Sequence, residues 1–310
     1  MQFWPRKRAK RAYARVRSWA NVKDAKLLGF AGYKVGMTHA IIIDNKTKTK
    51  TKGQEISCPI TVIETPPLKV ASIRFYKNTI DGIKIVSDVL SDNLDKELSK
   101  KIIMPKTVTK KVEDVKDFDD IKLLVYTQPK LTGIGKKKPE VFEIAIGGKK
   151  EDKLKFAQEK LGKEIAITDV FASGQQVDIH AITKGKGFQG PVRRFGISLR
   201  SHKSEKSIRN PGSLGGWSAQ GHVMYRVAHA GKMGFHQRVD YNKQIILIGN
   251  KPEEVNNDSG FIRYGNVKNP YLLIKGSIAG PAKRIIRINT ATRPNDKIPT
   301  EAPRISYLSK

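Results

Sequence analysis

LLGFAGYKVGMT, residues 27–38, decides the fold class. The stretch is apolar, carries glycines at 29, 32 and 36, and runs into the β-branched segment His39–Asp44. Glycines inside a strand pattern mark bulges or bends, so the stretch reads as part of a curved sheet. The Lys/Thr-rich Asn45–Gly53 is turn-like, and Ile60–Glu64 and Ala71–Tyr76 are strands on either side of Pro66-Pro67. Short strands with turn signals at this spacing favour a small barrel over a βαβ array.

Strand pattern returns further on. Val170–Ala172, Ser173-Gly174 and Val177–Thr183 read as a hairpin, Gln244–Gly249 as a strand, and Tyr271–Lys275, Gly276–Pro281 and Arg284–Thr290 as strands that include a further hairpin. Between the first and second strand groups the composition changes. Residues 81–160 hold 15 acids and 18 lysines, and no arginine occurs between Arg74 and Arg193. Arginine suits bidentate phosphate contact, whereas lysine also serves as general surface charge. The region therefore reads as a solvent-facing insertion. Helices are expected near Ser91–Lys101 and Glu151–Leu161, the latter with Leu154, Ala157 and Leu161 on one face and Gly162 as its stop. Ile121–Tyr126 reads as a strand between them, and Lys136–Lys138 as a solvated basic spot.

The stretch Lys184–Arg238 has the opposite character: KGKGFQGPVRRFGISLRSHKSEKSIRNPGSLGGWSAQGHVMYRVAHAGKMGFHQR. It holds eleven Lys or Arg, ten glycines, four of the six histidines and one acid, Glu205. It leaves one strand and returns to another without strong periodicity. Connections longer than about 12–15 residues are uncommon in a compact domain unless functional or disordered, so this one reads as an arm made for a polyanion. At the other end of the sequence, Arg6, Lys7, Arg8, Lys10, Arg11, Arg15, Arg17 and Lys23 alternate with Phe3, Trp4, Tyr13 and Trp19. That alternation suits phosphate pairing with base stacking.

Charge and motifs narrow the function classes. A formal net charge of +30 on 310 residues calls for a counter-charge. Membrane is disfavoured, because the basic stretches are punctuated by Gly and Pro and the longest apolar runs, such as Ala40–Ile43, are far too short to span a bilayer. No secretory signal is read at the N-terminus, and the single cysteine, Cys58, permits no internal disulfide. Gly185, Gly187 and Gly190 form GxGxxG, but Arg193-Arg194-Phe195-Gly196 gives no amphipathic helix to pack on a sheet, the only nearby acid, Glu205, lies in a polar run, and the kinase motifs VAIK, HRD and DFG are missing. The better account is that glycine lets backbone approach phosphates while Lys184, Lys186, Arg193 and Arg194 neutralise them. His222, His229 and His236 recur every seven residues in a Gly-broken segment with no metal-binding signature. Trp217, on a Gly-rich loop tip, is either a lid on the core or an anchor in a partner.

TKGKGFQGPVRRFG, GSLGGW and HVMYRVAHAGKMGFHQR in the arm resemble the universal large-subunit ribosomal protein L-three family. So do PRKRAKR at the start, GFAGYKVGMTH at 29–39 and PITVIETPPLKVASIRFY at 59–76. The PRKRAKR start and the insertion look like the archaeal and eukaryotic branch. The resemblance implies a mainly β fold with an α+β insertion: a six-stranded translation-protein-type β-barrel, a mostly helical insertion, a long basic internal loop and a basic N-terminal extension. The expected order is extension 1–27, barrel 28–80, insertion 81–163, barrel 164–183, arm 184–240, barrel 241–292 and tail 293–310.

The resemblance also implies a function without catalysis, cofactor, metal, membrane or small-molecule substrate. The partners would be large-subunit ribosomal RNA and neighbouring large-subunit ribosomal proteins, in the cytoplasm. The arm and extension would run towards the peptidyl transferase centre. Expected RNA-binding residues are Arg6, Lys7, Arg8, Lys10, Arg11, Arg15 and Arg17 in the extension. In the glycine-rich motif they are Lys184, Lys186, Gly187, Phe188, Gln189, Gly190, Arg193 and Arg194. Beyond it they are Arg200, Lys203, Arg209, Trp217, His222, Arg226, Lys232, His236 and Arg238. Trp217 matches the family's loop-tip tryptophan. His222 matches a histidine that is modified in some eukaryotic relatives, with one extra residue between it and the tryptophan here, and Tyr225 departs mildly from the usual aromatic.

Overall fold

Gly29–Ile43 (β1) is one unbroken strand of 15 residues. The computed structural model describes residues 3–105, 107, 110–204, 207–216 and 221–310. From Tyr33 to Ile43, β1 pairs with Glu55–Glu64 (β2), and the register shifts between Lys34 and Gly36, where the glycine pattern placed a bulge. The chain continues through Leu68–Thr79 (β3), Gly82–Leu90 (β4), Asp120–Thr127 (β5), Val141–Ala145 (β6), helix Lys150–Lys160 (α1), Glu164–Ile165 (β7) and Gln176–Ile182 (β8). Phe188–Gln189 (β9), the short helix Pro191–Phe195 (α2) and Gly231–Lys232 (β10) follow. The last strands are Gln237–Gly249 (β11), Tyr271–Lys275 (β12), Ile285–Thr290 (β13) and Ile305–Leu308 (β14). The chain divides into two compact units, one of Tyr13–Ala181 with Val239–Lys310 and one of Met1–Ala12 with Ile182–Arg238.

The larger unit carries two sheets. The first has seven strands in the order β13-β8-β11-β12-β2-β1-β14, and β13 also pairs with β1. β13 lies along Gly29–Tyr33 and β14 along Ala40–Ile42. The second sheet runs β4-β3-β5-β6, with β7 on β3. One apolar core spans both, from Phe30, Ile60, Ile274 and Ile286 to Leu68, Ile73, Ile121 and Ile144. Ala157 of α1 is buried in it, and Leu154 and Leu161 pack against it.

These observations correct the expected fold class. The expected class, a six-stranded barrel with a mostly helical insertion, does not describe the chain as a whole, although the β13–β1 pairing brings the first sheet back on itself. The first sheet has seven strands, and the seventh comes from the segment expected to be an extended tail. The insertion is mainly sheet, and β3, expected among the barrel strands, belongs to that second sheet. Its β3–β4 hairpin turns at Ile80-Asp81, where Gly82 has φ +112°. Strands β4 and β6 were not anticipated, because a run as short as Val141–Ala145 carries too little periodicity to separate from loop. The helix expected near Ser91–Lys101 is a single 3-10 turn, Lys96–Lys100. Tertiary contacts take up its residues: the Asp95 carboxylate accepts from Tyr126 Oη at 2.7 Å and Lys69 Nζ at 2.9 Å, and Leu98 is buried beside Tyr126. Val170–Ala172 forms no strand; a 3-10 turn, Ile167–Asp169, precedes it. Gly276–Pro281 forms none either, and the β12–β13 connection is irregular.

Two buried polar centres brace the larger unit. Glu64 accepts from the backbone N–H groups of Lys268 (2.9 Å) and Asn269 (3.0 Å), from Asn269 Nδ2 (2.7 Å) and from the Tyr264 hydroxyl. This carboxylate fixes the loop that leads into β12. On β13, Arg287 is buried, donates to the carbonyls of Glu143 (2.5 Å) and Ala14 (3.3 Å), and lies 4.5 Å from the Phe142 ring centre. Burial pulls its pKa down to about 10. Burial, then the neighbouring Arg287 charge, depresses the pKa of His180 to about 4.

Candidate nucleic-acid interface

The smaller unit has a charge imbalance that no folded domain neutralises alone. Its sequence holds sixteen Lys and Arg against one acid, Glu205, so half of the chain's net charge sits in 69 residues. Among the described residues of 184–238, only His236 is buried. With so little apolar burial, shape comes from hydrogen bonds and ring contacts.

The glycine-rich motif folds back on the end of the arm. Phe188 and Gln189 pair with Lys232 and Gly231. Lys186 N–H donates to Met233 O and Met233 N–H to Gly187 O, both at 2.9 Å. The two chains close tightly at Gly234, which has φ +73° and where a Cβ would lie 2.0 Å from Lys184 O. Only glycine fits there, on both counts. Pro191 then opens α2, and Gly196, left-handed at φ +69°, closes it after five residues by donating to Val192 O at 2.8 Å. A dinucleotide fold needs a longer helix packed on a sheet.

Arg193 and Arg194, adjacent in sequence, have different surroundings. Arg193 is exposed, with a long 3.4 Å contact to Gln189 Oε1. Arg194 spends its guanidinium on backbone: Nε donates to Lys232 O (3.0 Å), Nη1 to His229 O (3.0 Å) and Nη2 to Arg6 O (3.1 Å). Arg6 donates in return to Arg194 O. Burial, then the nearby Arg6 charge, lowers the pKa of Arg194, and the same two causes in the same order lower that of Arg238.

The N-terminal extension runs along the arm. Ala9 N–H donates to Phe235 O at 2.8 Å. His236 Nδ1 sits 2.8 Å from Lys7 O, and because a carbonyl only accepts, that nitrogen carries the hydrogen. His236 N–H also donates to Thr183 Oγ1 at 3.1 Å. The extension's aromatics, read from sequence as base-stacking groups, are engaged here. Trp4 stacks on Phe195 at 5.0 Å, Arg6 lies 4.3 Å from the Phe195 ring centre, and Arg238 lies 4.5 Å from that of Phe3.

The remaining expected residues divide by exposure. Lys7, Arg8, Lys10, Arg11, Lys184, Lys186, Gly187, Phe188, Gly190, Lys203, Arg209, His222, Arg226 and Lys232 are exposed, and Arg238 is half-buried. Gln189 is half-buried and donates to Lys186 O at 2.8 Å; Arg200 donates to Pro211 O at 3.1 Å. Arg15 and Arg17 belong to the larger unit. Trp217 lies outside the described residues. An open pocket of about 330 Å³ is lined by Arg6, Thr183, Lys184, Lys186, Met233, Gly234, His236 and Arg238. A second, of about 270 Å³, shares Met233 and Gly234 with it and adds Arg8 and Lys232. Among the described residues, no cluster of His, Cys, Asp or Glu is placed to hold a metal. The roles of Arg194 and His236 as braces were not legible in sequence, since their partners Arg6 and Lys7 lie 188 and 229 positions away.

A basic, glycine-built surface of this kind is chemistry for a polyanion, and comparison with known proteins agrees. The family model described as "Ribosomal protein L3" matches residues 1–308. "Large ribosomal subunit protein uL3" of Methanobrevibacter smithii is 46% identical over 99% of this chain and 94% of its own. The protein of that name from Methanosphaera stadtmanae is 47% identical over 99% and 94%, and that from Methanocaldococcus jannaschii 46% over 100% and 94%. With a family match over residues 1–308 and relatives 46–47% identical over 99–100% of its length, the chain belongs to the ribosomal protein L3 family.

Proposed function

We propose that this chain is a structural, non-catalytic constituent of the large ribosomal subunit that binds ribosomal RNA, in the cytoplasm. The observation that carries this is the smaller unit: sixteen cations against one acid on a glycine-rich scaffold with almost no core. Such a unit gains order from RNA phosphates and would repel itself without them. In chain order the arm leaves the larger unit's first sheet after β8 and returns to it in β11.

In this reading the extension and arm are the RNA-facing segments, and they support RNA near the peptidyl transferase centre and early subunit assembly. The arginine-free region 81–163 faces away from RNA. Exposed Lys184, Lys186, Arg193, Lys203, Arg209, Arg226 and Lys232 contact phosphates, Trp217 anchors the tip, and recognition is by shape and backbone. Peptide-bond chemistry belongs to the RNA.

Cofractionation tests it. The tagged protein sediments with large subunits at physiological salt, and binding to a large-subunit RNA fragment weakens steeply with salt. Sedimentation free of large subunits would overturn the assignment.

A further inference from the structure

We propose that the N-terminal extension and the arm jointly build a site for one RNA backbone phosphate, between Arg6, Lys184, Lys186 and Arg238, and that the extension closes onto the arm only when that phosphate is bound. The inference rests on the RNA-binding reading above and adds a ligand, a location and a coupling.

Three observations carry it. First, cations from three stretches of chain converge on one pocket of about 330 Å³ that no carboxylate lines. Second, closing the extension brings like charges together. Arg6 and Arg194 each donate to the other's backbone carbonyl, and Arg6 also sits near enough to Arg238 to oppose its charge. Arginine does not escape by losing its proton, so the repulsion is relieved by an anion or by separation. Third, the ties that close the extension onto the arm, the Arg6–Arg194 pair among them, are the ones that hold Arg6 at the pocket, so the complete site exists only in the closed form. Its backbone ties include Ala9 to Phe235 and His236 to Lys7, aided by the Trp4–Phe195 stack, on an arm with one buried described residue.

The same geometry favours a phosphate chain over an isolated carboxylate. The neighbouring pocket shares Met233 and Gly234 and brings Arg8 and Lys232, so cationic sites continue in a row. Successive phosphates of one strand would fill such a row, with glycine walls admitting the backbone.

Amide exchange of Ala9 in the full-length protein tests the coupling, because its N–H donates across the clasp. Exchange is followed at constant ionic strength in chloride, in inorganic phosphate, and with a saturating large-subunit RNA fragment whose binding is measured separately by anisotropy. Ala9 exchanges freely in chloride and slows in the other two, by about tenfold once phosphate reaches about ten times its dissociation constant. Lys186→Gln, whose side chain makes no clasp bond, raises the phosphate concentration required. Equal protection in chloride and phosphate overturns the proposal. Bound RNA with Ala9 still exchanging freely also overturns it, while leaving the RNA reading intact. If the RNA fragment does not bind, the RNA reading fails, and protection by inorganic phosphate alone then decides whether the anion site stands.

Discussion

Arg193 and Arg194 form the sharpest test of how the basic motif works. In sequence they are equivalent, two arginines beside a glycine run. In the fold, Arg193 is exposed, while Arg194 holds three backbone carbonyls, those of Lys232, His229 and Arg6. Arg193→Ala should therefore remove one phosphate contact and nothing else. The slope of log affinity against log salt should shrink by about 0.7–0.9, which is about five- to eightfold in affinity at 0.1 M salt if the two lines meet at 1 M. Arg194→Lys keeps the charge but loses the planar fork, and one ammonium cannot reproduce the three-carbonyl bracket. At about 0.5–1.5 kcal/mol net per hydrogen bond, the bracket is worth about 2–4 kcal/mol. If the arm must be formed to bind, that is about 30- to 700-fold in affinity, at about 1.4 kcal/mol per decade. The salt slope of Arg194→Lys should stay near that of the parent. Anisotropy titrations of an RNA fragment at four or five salt concentrations read both quantities. The reasoning is refuted if Arg194→Lys binds within twofold of the parent and Arg194→Ala loses a full unit of slope, because Arg194 would then be a phosphate ligand.

Further expectations concern both units. Gly234→Ala demands a left-handed alanine, costing about 1–2 kcal/mol, and drives a methyl to 2.0 Å from Lys184 O; RNA affinity should fall more than tenfold, with the main unfolding transition unchanged by calorimetry. Glu64→Leu strands the donors of Lys268, Asn269 and Tyr264 in the interior, and should cost at least about 3 kcal/mol and lower the melting temperature by about 6–12 °C. His180, buried between the influence of Arg287 and Asp178, has a folded pKa near 4 against an ordinary 6.5. The unfolded chain then binds the proton first, so stability is fully present above about 6.5 and is lost as pH falls towards 4, by up to about 3 kcal/mol. Urea midpoints at pH 7.5 and 4.5 should show that loss in the parent and a smaller one in His180→Gln.

Much of this protein was legible in the residues themselves. The glycines of 27–38 announced a bulged strand, and the register shift at Lys34–Gly36 is there. Leu154, Ala157 and Leu161 gave α1 its buried face. The charge contrast between 81–160 and 184–238 was plain as well, because charge is additive along a chain and needs no fold to be counted. The family resemblance rested on contiguous motifs for the same reason.

The tertiary structure decided what depends on partners far along the chain. Ile305–Leu308 became a strand only because β1 offers Ala40–Ile42 as an edge. Ser91–Lys101 has helical composition, yet Asp95 and Leu98 do more against Tyr126 than a helix could return. Sequence separates charge from apolar surface, but it cannot say which cation faces outward. Arg194 and His236 were counted with the phosphate ligands, and both are turned inward onto carbonyls, Arg194 in part and His236 directly onto the extension. An unpaired backbone carbonyl is a demand created by folding, and only the folded chain shows which side chain meets it.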